Sequence, residues 1–236
     1  MPAMQQQERH GHQEHGLNQG IVGVHELMTI LDPEVIQENW LSSDNLFKLS
    51  DISNEYFAFS SSAMDDCLSI GPLVGRPFGG TAILVKNTPA AVTISLICSE
   101  GLTAALVADW LIINVYMPCV GTNNRLYSDI VQEIQQLIND YPDYCCLIGD
   151  DLKVDLYVTG NISSLVNNFI GNDNLSRGNV MYPISDKFTY RSESLNVASC
   201  IDHILTSNTS RTVIGKHFGW SGKWSYFHVC ILPRST

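Results

Sequence analysis

The chain has 236 residues, 44% of them hydrophobic and only 16% charged, with 13 Lys and Arg against 24 Asp and Glu for a formal net charge of −11. That composition excludes a disordered chain, and the length is enough to bury a substantial core in one large domain. An acidic balance of this size argues against broad, salt-dependent capture of nucleic acid through a basic surface.

The first 14 residues are rich in Gln, Glu and His and read as a polar, solvated tail, with a single domain expected over 15–236. His10, His12 and His15 have metal-ligand chemistry, but such termini are usually hydrated. From Gly20 to Leu31, the residues Ile21, Val24, Leu27, Met28 and Leu31 recur at helical spacing and predict an amphipathic helix. After an Asp-Pro break, Glu34 to Ile36 reads as a buried strand that stops at Glu38. A glutamate after a strand is usually a surface or capping residue, so Glu38 gains weight only from what lies downstream.

Trp40 to Leu49 predicts a short helix and Tyr56 to Phe59 a strand. The Gly-Gly pair at 79–80, before the strand Thr81 to Val85, marks positive φ or a close backbone approach. Arg76, beside that turn, is a candidate phosphate contact. Ala91 to Cys98 and Leu111 to Tyr116 read as strands, the latter ended by Pro118. The apolar run Ala104 to Met117 is too short to span a bilayer, contains Asp109, and reads as two adjacent strands.

Ser128 to Asp140 is the clearest helix, with Ser128 as its cap and Ile130, Val131, Ile134, Leu137 and Ile138 on one face. The strand Tyr144 to Ile148 leads into Gly149-Asp150-Asp151-Leu152-Lys153-Val154-Asp155, which alone would be read as an Asx-rich turn. A helix at Ser163 to Ile170, a polar loop through Ser176 to Ser185 and a strand at Phe188 to Tyr190 follow. Asp202 and His203 then interrupt an apolar strand, where a buried charge must find a partner. The chain closes on a strand, Trp224 to Leu232, carrying His228.

Seven cysteines, an odd and scattered set without CxxC, read as reduced and mostly buried thiols of an intracellular protein, with no zinc site. The first twenty residues carry no apolar core and predict no secretory leader. Short strands with a few helices between them predict a layered α/β sandwich. Acids at strand ends, together with a His and an Asp, suit metal-assisted attack of water on a phosphodiester.

The order of motifs resembles the endonuclease/exonuclease/phosphatase superfamily, most closely the endonuclease domain of non-LTR (LINE-type) retrotransposons. The resemblance runs from His15 to Leu232. It is carried by His-Gly-Leu-Asn-Gln-Gly at 15–20, Ile-Gln-Glu-Asn-Trp-Leu at 36–41 and Gly-Arg-Pro-Phe-Gly-Gly at 75–80. Asn-Val-Tyr-Met-Pro-Cys at 114–119 and Ser-Cys-Ile-Asp-His-Ile-Leu at 199–205 complete it. It implies a four-layer α/β/β/α sandwich of two mainly antiparallel sheets, and a monomer that nicks DNA with Mg²⁺ (or Mn²⁺). It also implies a metal-binding Glu38, a phosphate-contacting Tyr116 and an Asp202 that orients the catalytic His.

Three positions depart from the family's pattern. Gln13 stands where a metal-binding Asn is expected. The Gly-Gly-Asp-Phe-Asn-Val-Asp motif aligns with Gly149 to Asp155, making Asp151 the catalytic aspartate and placing Lys153 where Asn belongs; a shifted alignment selects Asp150 instead. In the closing Ser-Asp-His motif, one register makes His228 the catalytic histidine with Phe227 replacing its aspartate. In the other register, Tyr226 and Phe227 replace both. These changes imply weakened catalysis, or a binding module that keeps the scaffold without the reaction.

Overall fold

The computed structural model describes residues 34–51, 54–71, 79–87, 93–99, 101–177, 188–192, 194–207, 212–215 and 225–231. The helix expected at 20–31, Gln13, the early histidines and Arg76 lie outside these residues.

Sheet I consists of β1 (Glu34–Gln37), β2 (Tyr56–Ser61), β3 (Thr81–Lys86), β12 (Thr212–Gly215) and β13 (Ser225–Ile231), in the order β12-β13-β1-β3-β2. Sheet II consists of β4 (Thr93–Ser99), β5 (Leu102–Val107), β6 (Trp110–Tyr116), β7 (Cys145–Asp151), β8 (Leu175–Arg177) and β11 (Asp202–Ser207), in the order β4-β5-β6-β7-β11-β8. A separate hairpin pairs β9 (Tyr190–Ser192) with β10 (Val197–Ser199). Every ladder is antiparallel except β6 with β7. A parallel pair needs a crossover, and the helix between these two strands supplies it.

The helices are the short α1 (Phe47–Ser50) and α2 (Asp65–Ile70), then α3 (Asn124–Asp140) and α4 (Asn161–Asn172). The helix predicted over 40–49 is a 3₁₀ turn, Ser43–Asn45, followed by α1. α3 begins four residues before the expected cap Ser128, because Asn123 takes that role, its side chain accepting from Leu126 N–H at 3.1 Å. α2, β8, β10 and β12 are too short to leave a periodic signal.

Side-chain alternation sorts the core into layers. Val35, Ile83, Val85, Ala105, Val107, Trp110, Ile112, Cys145, Leu147 and Ile204 fill the space between the two sheets. On the far side of sheet II, Leu111, Ile113, Val115, Cys146 and Ile148 meet Ile130, Ile134, Val166 and Phe169 of α3 and α4. On the far side of sheet I, Ile36, Ala82 and Leu84 pack with Leu41, Leu49 and Tyr56. Both faces of the central strands are covered, so their sequences run apolar without a break. The expected layered α/β sandwich is the architecture found.

Candidate active site

The same alternation decides which groups meet at one end of the sandwich. Trp110 and Ile112 of β6 face the other sheet, so Tyr116 does too. Cys145 and Leu147 of β7 face it, so Asp151 follows; Ile204 of β11 faces it, and Asp202 with it. Asp150 and His203 have the opposite parity. The Asp150 carboxylate accepts from the His203 backbone N–H at 3.0 Å, and the His203 ring lies 3.0 Å from the Cys200 carbonyl. Of the two neighbouring aspartates, Asp151 therefore joins the inter-sheet site. Both lie within β7, not in a turn after it.

Glu38 reaches this site through an unusual backbone. Glu38 and Trp40 both have φ near +56°, a conformation that costs energy for residues with side chains. The turn is held against the glycine pair: Asn39 N–H and Trp40 N–H donate to Gly80 and Gly79 carbonyls at 3.3 and 3.1 Å. The buried Asn39 side chain donates to the Ser61 and Thr81 carbonyls and accepts from Leu41 N–H. Gly79 and Gly80 have φ of +64° and +81°, and a Cβ on Gly79 would come 2.6 Å from Ala63 Cβ. The pair thus provides positive φ and close approach together.

Beside this turn the apolar seam between the sheets becomes polar. Ser61, Thr81 and Thr103 hydroxyls form a chain at 3.0 and 2.7 Å. Asn114 donates to Ile36 and Ala82 carbonyls at 2.7 and 2.8 Å and accepts from the Gln37 amide. These buried bonds weld β6 of one sheet to β1 and β3 of the other, which sets where Tyr116 stands relative to Glu38. Sequence reasoning passed over Asn39 and the Thr81–Thr103 pair as site-builders. The available signal was polar residues inside otherwise apolar strands.

Tyr116 Oη donates to Glu38 Oε1 at 3.0 Å. Lys153 Nζ lies 3.2 Å from the same Glu38 oxygen, 2.5 Å from Asp151 Oδ2 and 4.5 Å from the centre of the Tyr116 ring. Lys153 has φ +53°, and its N–H donates to Asp151 Oδ1 at 3.3 Å, a local turn that folds the side chain back over the strand ends. Asp202 pairs with Asp151 across the β7–β11 ladder.

The charges follow from this crowding. Burial and, next, the charge of Asp202 push the Asp151 carboxyl up to about 7, against the lowering effect of Lys153. Burial opposes the charge on Lys153, but Asp151 and the neighbouring site groups outweigh it and hold the ammonium above the ordinary lysine range. Burial raises the Tyr116 phenol well above its usual value, so it stays an O–H donor at neutral pH.

His228 is placed differently from the other site residues. In the β1–β13 ladder it pairs with Glu34, and Ser225 pairs with Gln37 next to Glu38. At about 3.4 Å per residue, its backbone lies on the order of 13 Å along the sheet from the level of Glu38.

Among solved structures, the chain is similar to a 3'-5' exonuclease, NExo, from Neisseria meningitidis, with 12% identity and a TM-score of 0.63 over 91% of this chain and 95% of that one. It is similar to an endonuclease/exonuclease/phosphatase family protein from Bacteroides thetaiotaomicron, with 12% identity and a TM-score of 0.55 over 90% of this chain and 88% of that one. The chain has the endonuclease/exonuclease/phosphatase fold. The endonuclease domain of TRAS1, a telomere-specific non-LTR retrotransposon, shares that fold with it at 10% identity and a TM-score of 0.58, over 91% of this chain and 93% of that one. No protein-family model and no curated protein matches the sequence.

Among the described residues no helix is long and apolar enough to cross a membrane. Cys145, Cys146 and Cys200 are buried thiols; Cys98 and Cys119 are exposed ones. The resemblance implies a divalent cation at this site. Both carboxylates that would receive it, Glu38 and Asp151, are engaged by Lys153, and no group of three or more His, Cys, Asp or Glu among the described residues is placed to hold a metal. As arranged, these residues do not fit a divalent ion.

Proposed function

We propose that this protein is a phosphodiester hydrolase of the endonuclease type that nicks DNA at a strongly reduced rate. One observation carries the proposal: Glu38, Tyr116 and Asp151, from three strand ends in two sheets, converge around a single cation position at Lys153 Nζ. Two of the three structural neighbours described above are named as nucleases, which supports a nucleic-acid substrate. Tyr116 would donate its O–H to a phosphate oxygen as it now does to Glu38. Asp151, at the end of β7 on the side that faces the other sheet, would take a proton from an attacking water. Asp202 would hold the site's negative charge beside it. Mg²⁺ or Mn²⁺ is the proposed activator, reaching Glu38 only when Lys153 is displaced. Losing one positioned acid–base or electrostatic group commonly costs on the order of 100-fold, which is why the proposed rate is low.

The engagement of both carboxylates by Lys153 favours a second reading, a module that keeps the fold and binds without hydrolysing. A supercoiled-plasmid assay with Mg²⁺, with EDTA and with Glu38→Ala separates the two. The hydrolase reading expects metal-dependent nicking that falls at least about tenfold in Glu38→Ala. Equal nicking by the native protein and a folded Glu38→Ala variant would leave the binding module.

A further inference from the structure

Building on the same site assignment, we propose that Lys153 is a tethered counter-cation that competes with divalent metal for Glu38 and Asp151. Its ammonium balances those carboxylates with no metal bound. The geometry is specific: Nζ bridges Glu38 Oε1 at 3.2 Å and Asp151 Oδ2 at 2.5 Å, and the Tyr116 ring covers it at 4.5 Å. The Lys153 side chain is 16% exposed and that of Asp151 is 1% exposed, so the contact is enclosed and weakly screened. The chain builds the contact locally, through the positive φ of Lys153 and its N–H bond to Asp151 Oδ1.

An ammonium and Mg²⁺ cannot share these oxygens. Mg²⁺ demands near-octahedral oxygen ligands at about 2.0–2.1 Å, inside the space that Nζ fills. Because Nζ is tethered in contact with both oxygens, it loses little translational freedom in pairing with them, so a free cation must outcompete it. The competition is nevertheless reversible in charge terms. One ammonium faces two carboxylates, Glu38 and Asp151, which leaves excess negative charge for a divalent ion once the lysine is gone.

The test is titration calorimetry and thermal unfolding of the full chain with MgCl₂ and MnCl₂, for the native protein and Lys153→Asn. Asn tolerates positive φ better than Lys, so the substitution does not strain the turn. Lys153→Asn is expected to bind Mn²⁺ at least tenfold more tightly than the native protein. Its unfolding temperature should rise with metal while the native one stays flat, and adding Glu38→Ala should abolish the response. Lys153→Met, which keeps the stem over Tyr116 and removes the charge, serves if the Asn variant does not fold. Equal metal affinity in the native and Lys153-substituted proteins would overturn the proposal. A variant that binds Mn²⁺ but nicks no plasmid supports the counter-cation while sinking the hydrolase reading. A native protein that nicks with Mg²⁺ and binds it as tightly as the variant does the reverse.

Discussion

Asp151 concentrates the chemistry of the site at one residue. Its parity in β7 turns it to the inter-sheet side, where burial and Asp202 raise its carboxyl from an ordinary 3.8 to about 7. A folded state that retains a proton the unfolded chain has released is stabilised by it. That contribution is complete below about pH 4 and lost as pH rises through about 7, so the metal-free protein should lose stability over that interval. Urea-denaturation midpoints at successive pH values should fall for the native protein and follow a flatter profile for Asp151→Asn. Identical slopes would place the carboxyl outside this field.

Among the elements, the Glu38–Trp40 turn and the Gly79–Gly80 approach to β3 form one unit. Each supplies what the other lacks: the turn needs acceptors for its N–H groups, and the glycines present bare carbonyls at close range. A Cβ on Gly80 would overlap Asn39 Oδ1, lie 2.8 Å from its Cγ and require φ of +81°. Left-handed backbone costs a non-glycine roughly 1–2 kcal/mol and overpacking about 1–3 kcal/mol more. Gly80→Ala should therefore destabilise the protein by about 2–5 kcal/mol in urea unfolding. A loss under about 1 kcal/mol would mean that Asn39 does not clamp the turn.

For the whole molecule, the net charge of −11 sets a limit on any encounter with DNA. Non-specific affinity comes from Lys and Arg displacing counterions, typically giving dissociation constants of roughly 1–100 μM at physiological salt. This chain should bind a labelled duplex more weakly than that range at about 0.15 M salt, as read by fluorescence anisotropy, and show only a shallow salt dependence because it displaces few counterions. Affinity in the low micromolar range that persists at that salt would reveal a basic surface not implied by the composition.

The longer strands, the α3 and α4 helices and the layered class were legible because each long element buries a stripe or face that repeats in sequence. The 3.6-residue period of Ile130, Val131, Ile134 and Leu137 and the unbroken apolar runs of β3, β5, β6 and β7 carry that signal. Glu38, Tyr116, Asp151 and Asp202 were legible as acids and a phenol at strand ends, and through the order of their motifs. Several features depended on tertiary structure. The choice between Asp150 and Asp151 rests on which face of β7 meets sheet I. The pairing of His228 with Glu34 rests on ladder register, which is set only when the strands assemble into the sheet. The bridging position of Lys153 arises because residues 115 apart in sequence meet where two sheets end. The motif order puts Lys153 at a site position; only the packing of the sheets sets its ammonium between two carboxylates.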